Sequence, residues 1–278
     1  MIKMGKLIVT CVLITMIVSC LADPERPGKY LNHDRTVINC AKYKREANQH
    51  QCVLSPINVE GPFYLPDDHE RSDITDGQPG IPLELTINLV NSNDCNPMGN
   101  MYVHIWSANA VGKYSGVENF GPSEEFDKGQ GGQHPEPGKG KPGPGLPGRP
   151  DPVTDERFLR GYQVTDSNGQ VNFKTIIPGW YFPRCLHIHI EVYPKNTTEK
   201  ADILFVGQIY FKTELANELK LIDPYSANTN PITLNENDDL FTERHGNETL
   251  LNLINHGNNF STTITFGINP EAKIEIEV

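Results

Sequence analysis

The sequence predicts an all-β fold, an antiparallel β-sandwich with short helices and long loops. Short runs in which apolar and polar residues alternate recur along the 278-residue chain, and turn-forming residues separate them. Alternation with a period of two is typical of strands that are buried on one face. The sequence shows no regular helices between these runs, which argues against a parallel α/β sheet.

The individual strands are recognised by runs rich in Val, Ile, Phe and Tyr, which favour an extended backbone. Turn chemistry separates them, most clearly at Asn96–Gly99, at Asp166–Gly169 and at Pro178-Gly179. The predicted strands are 83–90, 102–106, 170–176, 186–193, 203–211, 262–268 and 274–278. The predicted helices are 36–50 and 213–222.

The first 22 residues predict a secretory signal peptide. Two lysines precede an apolar run, and the small residues Cys20 and Ala22 stand at the −3 and −1 positions before Asp23. The run is shorter than the ~20 residues that a membrane span needs, which favours cleavage over an anchor. We therefore expect a secreted, extracellular protein.

The rest of the chain is predicted to comprise an N-terminal extension, 23–51, and a β-sandwich domain, 52–278. Within the domain, residues 121–152 are dense in Gly and Pro and have almost no large apolar side chain. Such a segment buries too little surface to offset the entropy of ordering, so a long loop is predicted. Its irregular glycine spacing excludes collagen. We interpret it as an insertion or part of a pocket rim rather than a lid.

Charge and cysteine content limit the partners. The formal charge is −11 at pH 7, and signal cleavage would remove lysines but no acids. An acidic chain binds nucleic acid or an anionic membrane poorly, so we expect neither partner after cleavage. Four cysteines remain after signal cleavage, and an even number in a secreted chain predicts two disulfides. The sequence does not determine which cysteines pair. The disulfide candidates are Cys40, Cys52, Cys95 and Cys185, and the glycosylation candidates are Asn196, Asn247 and Asn259.

The segment 186–193 contains the first candidate metal ligands. Its strict alternation places His187 and His189 on one face, together with Glu191 and Tyr193. Two histidines two positions apart on a strand are close enough to bind one metal ion. The alternative is a polar face exposed to solvent. Cys185 has the same parity, although disulfide formation would remove it as a ligand.

Two tyrosines extend this candidate site. Two prolines and Gly179 predict a turn that brings Tyr181 and Arg184 close to the histidine strand. Tyr114 follows a predicted strand and a glycine-containing loop. Either tyrosine alone could be an ordinary core residue. If both meet the histidines, the hard phenolate donors favour Fe(III) over zinc or calcium.

The combined pattern resembles the intradiol ring-cleavage dioxygenases, a family that includes catechol 1,2-dioxygenase and protocatechuate 3,4-dioxygenase. The specific motif is Tyr114, then Gly179-Trp180-Tyr181, then Arg184-x-x-His187-x-His189. Further matching segments are Glu60–Tyr64, Arg71–Ile74, Ile105-Trp106, Phe158–Gly161 and Gln208–Phe211. The signal peptide and the start at Cys52–Pro56 are most similar to the secreted eukaryotic branch of the family.

The resemblance implies a β-sandwich oxidoreductase with one non-haem Fe(III) per chain. Such an enzyme cleaves catechol-type aromatic diols with O2 to cis,cis-muconate-type diacids. The implied iron ligands are Tyr114, Tyr181, His187 and His189. Tyr181 would be the axial tyrosinate that leaves when the substrate binds. Arg184 would stabilise charge that develops on the substrate dianion, and Gln208 would hydrogen-bond near the intermediate.

Some features depart from the family pattern. Ser107 stands where the family often has histidine, and the Gly/Pro-rich insert separates Tyr114 from Tyr181 more widely than usual. The long helical N-terminal region through which catechol 1,2-dioxygenases pair is not evident, so a monomer is expected. Secretion and the acidic charge fit detoxification of phenolic compounds. The alternative functions are a secreted binding module on the same scaffold and a zinc or copper hydrolase that uses the two histidines.

Overall fold

The computed structural model describes residues 54–66, 69–119, 151–194, 197, 200–271 and 274. The chain divides into two units, Met1–His50 and Gln51–Val278, and the described residues all belong to the second. The strands are β1 (Pro82–Asn91), β2 (Met101–Trp106), β3 (Arg160–Val164), β4 (Gln170–Ile176), β5 (His187–Pro194), β6 (Phe205–Tyr210), β7 (Ile254–Asn255) and β8 (Phe260–Ile268). The α-helices are α1 (Thr213–Leu219) and α2 (Asp239–Glu243).

The strands form two four-stranded sheets, which confirms the predicted β-sandwich. The first sheet has the order β4-β1-β8-β7 and the second β3-β2-β5-β6. Neighbouring strands are antiparallel except β1 and β8, which run parallel. Two strands joined by a hairpin must be antiparallel. Between β1 and β8 the chain passes through all four strands of the second sheet, so no short turn determines their relative direction.

The main core consists of the alternating apolar residues of both sheets. The four inward residues of β1 are at most 1% exposed, and Ile188, Ile190 and Val192 of β5 are equally enclosed. Removing these side chains from water is the main source of stability. Residues that share this core cluster include Leu83, Leu85, Ile87, Leu89, Val103, Ile105, Val171, Phe173, Phe205, Ile209 and Phe266.

Six of the seven predicted strands correspond to β1, β2, β4, β5, β6 and β8. The prediction missed β3 and β7, which are too short for a clear alternating pattern. It also missed α2, a helix of five residues. The predicted helix 213–222 ends earlier, at Leu219. The predicted signal peptide, the extension 23–51, the helix 36–50, residues 121–150 of the insert and most of the strand 274–278 lie outside the described residues.

The strand β5 is buried on both faces, which positions the candidate site in the interior. On its polar face, Glu191 and Tyr193 are 0% exposed, and the two histidines are at most 3% exposed. The segment 54–66 contacts this face, and the Tyr193 hydroxyl donates to that of Tyr64 at 3.4 Å. The alternative of a solvent-exposed polar face is therefore excluded. Separately, no helix in the described part of the chain is long and apolar enough to cross a membrane.

Candidate active site

Tyr114 lies on the loop that follows β2. The Asn109 side-chain oxygen accepts hydrogen bonds from the backbone N–H groups of Val111 at 3.2 Å and Lys113 at 3.0 Å. Gly112 has a φ of +81°, in the left-handed region that glycine adopts without a steric penalty. The Asn109 side chain thus stabilises the reversal of the chain that brings Tyr114 back to the sheet.

Tyr181 lies on the turn that leads into β5, and this turn packs directly on the Tyr114 loop. The Gly179 N–H donates to the Asn109 carbonyl at 3.1 Å. The Asn228 amide donates to the Trp180 carbonyl at 2.8 Å. A Cβ added at Gly112 or Gly179 would collide with a backbone carbonyl oxygen of the other segment, so there is no room for a side chain between them.

Replacing Gly112 by alanine is expected to lower the free energy of unfolding by about 2–4 kcal/mol. The new Cβ would be strained at positive φ and would collide with the Trp180 carbonyl oxygen. Urea denaturation measures the loss. Gly77→Ala is the matched control, because Gly77 has a φ of +70° but nothing within 4 Å of its Cβ position. Equal losses for the two variants would contradict the tight packing of loop on turn.

Four side chains converge at one point on the outer face of the second sheet. The Nε2 atoms of His187 and His189 are 3.1 Å apart, and the Tyr114 hydroxyl lies 3.4 Å from His187 Nε2. The Tyr181 ring meets the Tyr114 ring edge-on with centroids 5.6 Å apart, and its centroid lies 5.7 Å from that of His187. None of the four residues is more than 9% exposed. The structure therefore brings together all four ligand candidates identified from the sequence.

Burial keeps both histidines neutral, and His187 has a nitrogen lone pair available at the convergence point. His187 Nδ1 lies 2.7 Å from the Cys185 carbonyl oxygen, which only accepts, so the proton is on Nδ1 and the lone pair is on Nε2. Burial, together with the charge of Arg184, lowers the pKa of His187 to about 3. Burial likewise lowers the pKa of His189 well below its usual value. The His189 ring stacks on Trp106 at 4.8 Å, which fixes its plane.

Burial raises the pKa of Tyr114 well above its usual value and also raises the pKa of Tyr181. The positive charge of Arg184 acts in the opposite direction on both phenols but does not offset burial. Phe63 stacks on Tyr114 with ring centroids 4.3 Å apart and meets Tyr181 edge-on at 5.5 Å. The phenols thus lie in an apolar setting where only a strongly cationic partner would remove their protons.

Arg184 lies beside this cluster in a buried hydrogen-bond network. Its Nε donates to the two carboxylate oxygens of Asp238 at 2.9 and 3.1 Å. Its Nη2 donates to the Gln208 side-chain oxygen, which also accepts from the Tyr210 hydroxyl at 2.8 Å. Burial alone would lower the pKa of Arg184, yet Asp238 and nearby tyrosines raise it overall. A permanent positive charge is therefore held next to the four converging side chains.

The donor set is suited to a hard trivalent cation. Two ligand atoms that bind one ion at right angles, each at about 2.1 Å, lie about 3 Å apart, and the observed nitrogen and oxygen separations of 3.1 and 3.4 Å are close to this. Within the described ranges, no three His, Cys, Asp or Glu side chains form a metal-binding group. A metal at this position would therefore use tyrosine oxygens, which favours Fe(III) over zinc.

The prediction that Cys185 forms a disulfide is wrong. Cys185 is a free thiol, 1% exposed. Its environment is the Asp238 carboxylate and Arg184, and burial raises its pKa. Cys95 is disulfide-bonded, while Cys40 and Cys52 lie outside the described residues.

Of the glycosylation candidates, Asn247 is exposed and Asn259 is partly exposed. Asn196 lies outside the described residues.

Several residues at the site were not singled out from the sequence. Phe63 and Trp106 were noted only as parts of matching segments, although their rings pack on Tyr114 and His189. Arg160 donates to the Ser115 carbonyl at 2.9 Å and lies 5.8 Å from the Tyr114 ring centroid. Nothing in the sequence indicated that Asp238 belongs to the site, because this residue lies in a polar run typical of an exposed loop.

Fold and site together define the class of protein: a β-sandwich with a buried centre of two neutral imidazoles and two phenols beside an arginine.

No known family profile and no curated protein match the sequence. The structure is similar to an intradiol ring-cleavage dioxygenase from Tetranychus urticae, with 29% identity, a TM-score of 0.64, and coverage of 81% of this chain and 98% of that one. A second solved dioxygenase is 30% identical, with a TM-score of 0.64 and coverage of 80% and 97%.

These similarities extend over nearly the full length of both solved dioxygenases. The chain belongs to the intradiol ring-cleavage dioxygenase family. It is accordingly an oxidoreductase of the catechol ring-cleaving type.

Proposed function

We propose that this protein is a secreted, Fe(III)-dependent dioxygenase that opens catechol-type aromatic diols with O2 to cis,cis-muconate-type diacids. The observation that carries the proposal is the convergence of two imidazoles and two phenol rings at one buried point. Neutral nitrogen and hard anionic oxygen donors together suit one non-haem Fe(III) per chain. The proposed ligands are Tyr114, Tyr181, His187 and His189.

Bound Fe(III) would supply a Lewis acid for the two diol oxygens and the redox chemistry that O2 requires. The protein's own groups manage protons and charge. Tyr181 is the most exposed of the four ligands, at 9%. As a phenolate, its oxygen is a base of suitable strength to accept a proton from an incoming diol. Tyr114, at 2% exposed and stacked on Phe63, is the more firmly held of the two.

Arg184 and Gln208 are proposed to act on the substrate rather than on the metal. The guanidinium is a fixed positive charge in a buried setting, where such a charge stabilises developing anions most strongly. The Gln208 side-chain oxygen is already occupied by Arg184 and Tyr210. Its amide nitrogen makes only a long, 3.4 Å contact with the Val59 carbonyl. That N–H is the donor best suited to hydrogen-bond an oxygen of the reacting substrate.

The walls around the converging side chains are apolar. Phe63, Leu65, Ala108 and Val117 form one buried cluster with the two tyrosines. An aromatic ring binds favourably against such surfaces through burial and stacking. Exclusion of water strengthens every electrostatic contact at the site and limits side reactions. A small aromatic diol is therefore the substrate class that we propose.

Secretion is proposed on the strength of the residues before Asp23, which resemble a signal peptide. The exposed position of Asn247 is compatible with a glycan there. A monomeric state is proposed because the helical pairing region of catechol 1,2-dioxygenases is not evident in the sequence. Secretion of an enzyme for catechol-type diols would suit detoxification of phenolic compounds outside the cell.

The visible absorption spectrum of the purified protein tests the proposal. Iron(III) bound by phenolate should give a broad charge-transfer band, and catechol added without oxygen should shift that band to longer wavelength. Tyr114→Phe should lose most of the band and at least about 100-fold of the activity, because one anionic donor is removed. Tyr162→Phe is a matched control, since Tyr162 lies on β3 and packs on His104 instead of the site histidines.

Other outcomes would redirect the assignment. Catechol binding without O2 uptake in an iron-free, colourless protein would favour a binding module. Zinc or copper in place of iron, together with chelator-sensitive hydrolysis, would favour a hydrolase.

A further inference from the structure

Asp238 is a fully buried carboxylate with an unusual number of hydrogen bonds. It is 1% exposed, and Arg184 Nε donates to both of its oxygens. The backbone N–H of Cys185 donates to Oδ2 at 2.9 Å. The N–H groups of Leu240 and Phe241 donate to Oδ1 at 2.9 and 3.3 Å, so the same carboxylate caps α2. A buried charge persists only with compensation of this kind.

The hydrogen bonds of Asp238 lead to two residues of the proposed site. One branch is direct, through the ion pair with Arg184. The other passes through the Cys185 peptide, whose N–H binds Asp238 and whose carbonyl accepts from His187 Nδ1 at 2.7 Å. One carboxylate thus holds the peptide that orients a proposed metal ligand and the side chain of the proposed charge-stabilising arginine.

The ion pair also helps to fix the orientation of Arg184. Asp238 occupies Nε, and Gln208 with Tyr210 occupies Nη2. The guanidinium is planar and rigid, so binding two of its nitrogens fixes the orientation of the whole group. Arg184 is thus held in one orientation beside the converging tyrosines and histidines.

We propose that Asp238 is a positioning residue for ring cleavage: it fixes the orientation of the Arg184 guanidinium beside the substrate, and it braces His187 through the Cys185 peptide. The inference rests on the proposed function. Nothing in the local sequence 235–239 distinguishes Asp238 from its exposed neighbour Asp239. The role follows from the approach of α2 to the turn before β5, 54 positions earlier in the chain.

The test is steady-state kinetics of Asp238→Asn in the iron-loaded enzyme. We expect kcat to fall by about 30- to 300-fold, with a smaller change in KM and with iron content and the resting charge-transfer band retained. Asp239→Asn is the matched control and should behave as wild type. In an Arg184→Gln background, Asp238→Asn should cause a much smaller further loss, because only the route through His187 remains.

A purely structural role would give a different pattern. Asp238→Asn would then lower the melting temperature but leave kcat near wild type, or it would cause the same fold-loss with and without Arg184. Either result overturns the inference. If Asp238→Asn does not fold, Asp238→Ser retains a helix-capping oxygen while losing the ion pair; it should show the same kcat loss, and wild-type kcat would refute the role.

Failure of the proposed function itself would be seen independently. In that case the wild-type protein would lack the iron band and the activity.

Discussion

His189→Ala is expected to eliminate iron binding and reduce diol cleavage by more than about 1,000-fold, since loss of even an outer-shell partner of a metal site costs about 10- to 100-fold. His189 Nε2 lies 3.1 Å from His187 Nε2, and no nearby His, Cys, Asp or Glu in the described chain completes a substitute set of three. Metal analysis and the visible spectrum of the purified variant measure the loss.

His256→Ala is the control for this substitution, because His256 is exposed and its ring contacts Ser261 instead of the site. It should retain iron and activity. The small side chain of alanine also leaves a cavity beside Trp106, so circular dichroism should establish that the His189 variant is folded. A folded His189→Ala protein that keeps one iron per chain and the wild-type band would contradict the ligand assignment.

Arg184→Gln is expected to lower kcat by about 100- to 1,000-fold, the usual cost of removing a buried group that stabilises developing charge. Iron content and the anaerobic spectral shift with catechol should persist, because Arg184 is not among the proposed ligands. Arg184→Lys keeps the charge but loses the planar fork that binds Asp238 and Gln208 together, so its kcat should be intermediate. Oxygen uptake under steady-state conditions measures each effect.

The Arg184 substitution also affects stability, and the two consequences are separable. Without the guanidinium, the buried Asp238 carboxylate keeps its backbone hydrogen bonds but loses its ion-pair partner, which costs about 3–5 kcal/mol of unfolding free energy. The double variant Arg184→Gln with Asp238→Asn removes that charge and should recover much of the stability without recovering kcat. Lys212→Gln, at an exposed lysine, is the neutral control. Recovery of activity in the double variant would show that the kinetic defect was only one of folding.

The apolar setting of the two phenols explains why tyrosine is a workable ligand here. In the absence of a cation, burial raises the pKa of both groups, so they are neutral phenols. A trivalent cation reverses this preference, since its field far outweighs the desolvation of two phenolates. Neutral histidines beside the phenols add no competing charge. The site is thus arranged to bind a metal with proton release.

Much of the site could be predicted from local sequence because local geometry encodes it. Strand alternation places His187 and His189 on one face whatever the rest of the chain does. The Pro/Gly turn before β5 delivers Tyr181 and Arg184 within a few residues of those histidines. Only Tyr114 comes from far away, 73 positions before His187. Its assignment depended on the family motif, since no local pattern indicates that a distant loop returns to the strand.

Other features could not be predicted. The burial of the polar face of β5 depends on the segment 54–66, which contacts it from outside the sheet. Cys185 was expected to pair because cysteine count suggests disulfides, but its neighbours are Asp238 and Arg184. The parallel pairing of β1 with β8 joins two strands that are distant in the chain, so no turn sequence indicates it.

The sequence by itself thus determined the β-sandwich class, most of its strands and four of the polar groups at the site, because residue alternation, turn chemistry and motif spacing act over a few residues. Tertiary structure alone decided that the Tyr114 loop packs on the Tyr181 turn and that Asp238 pairs with Arg184 across 54 positions. Such contacts arise from packing between segments that are distant in the chain, where burial and charge compensation matter and local propensity carries no information.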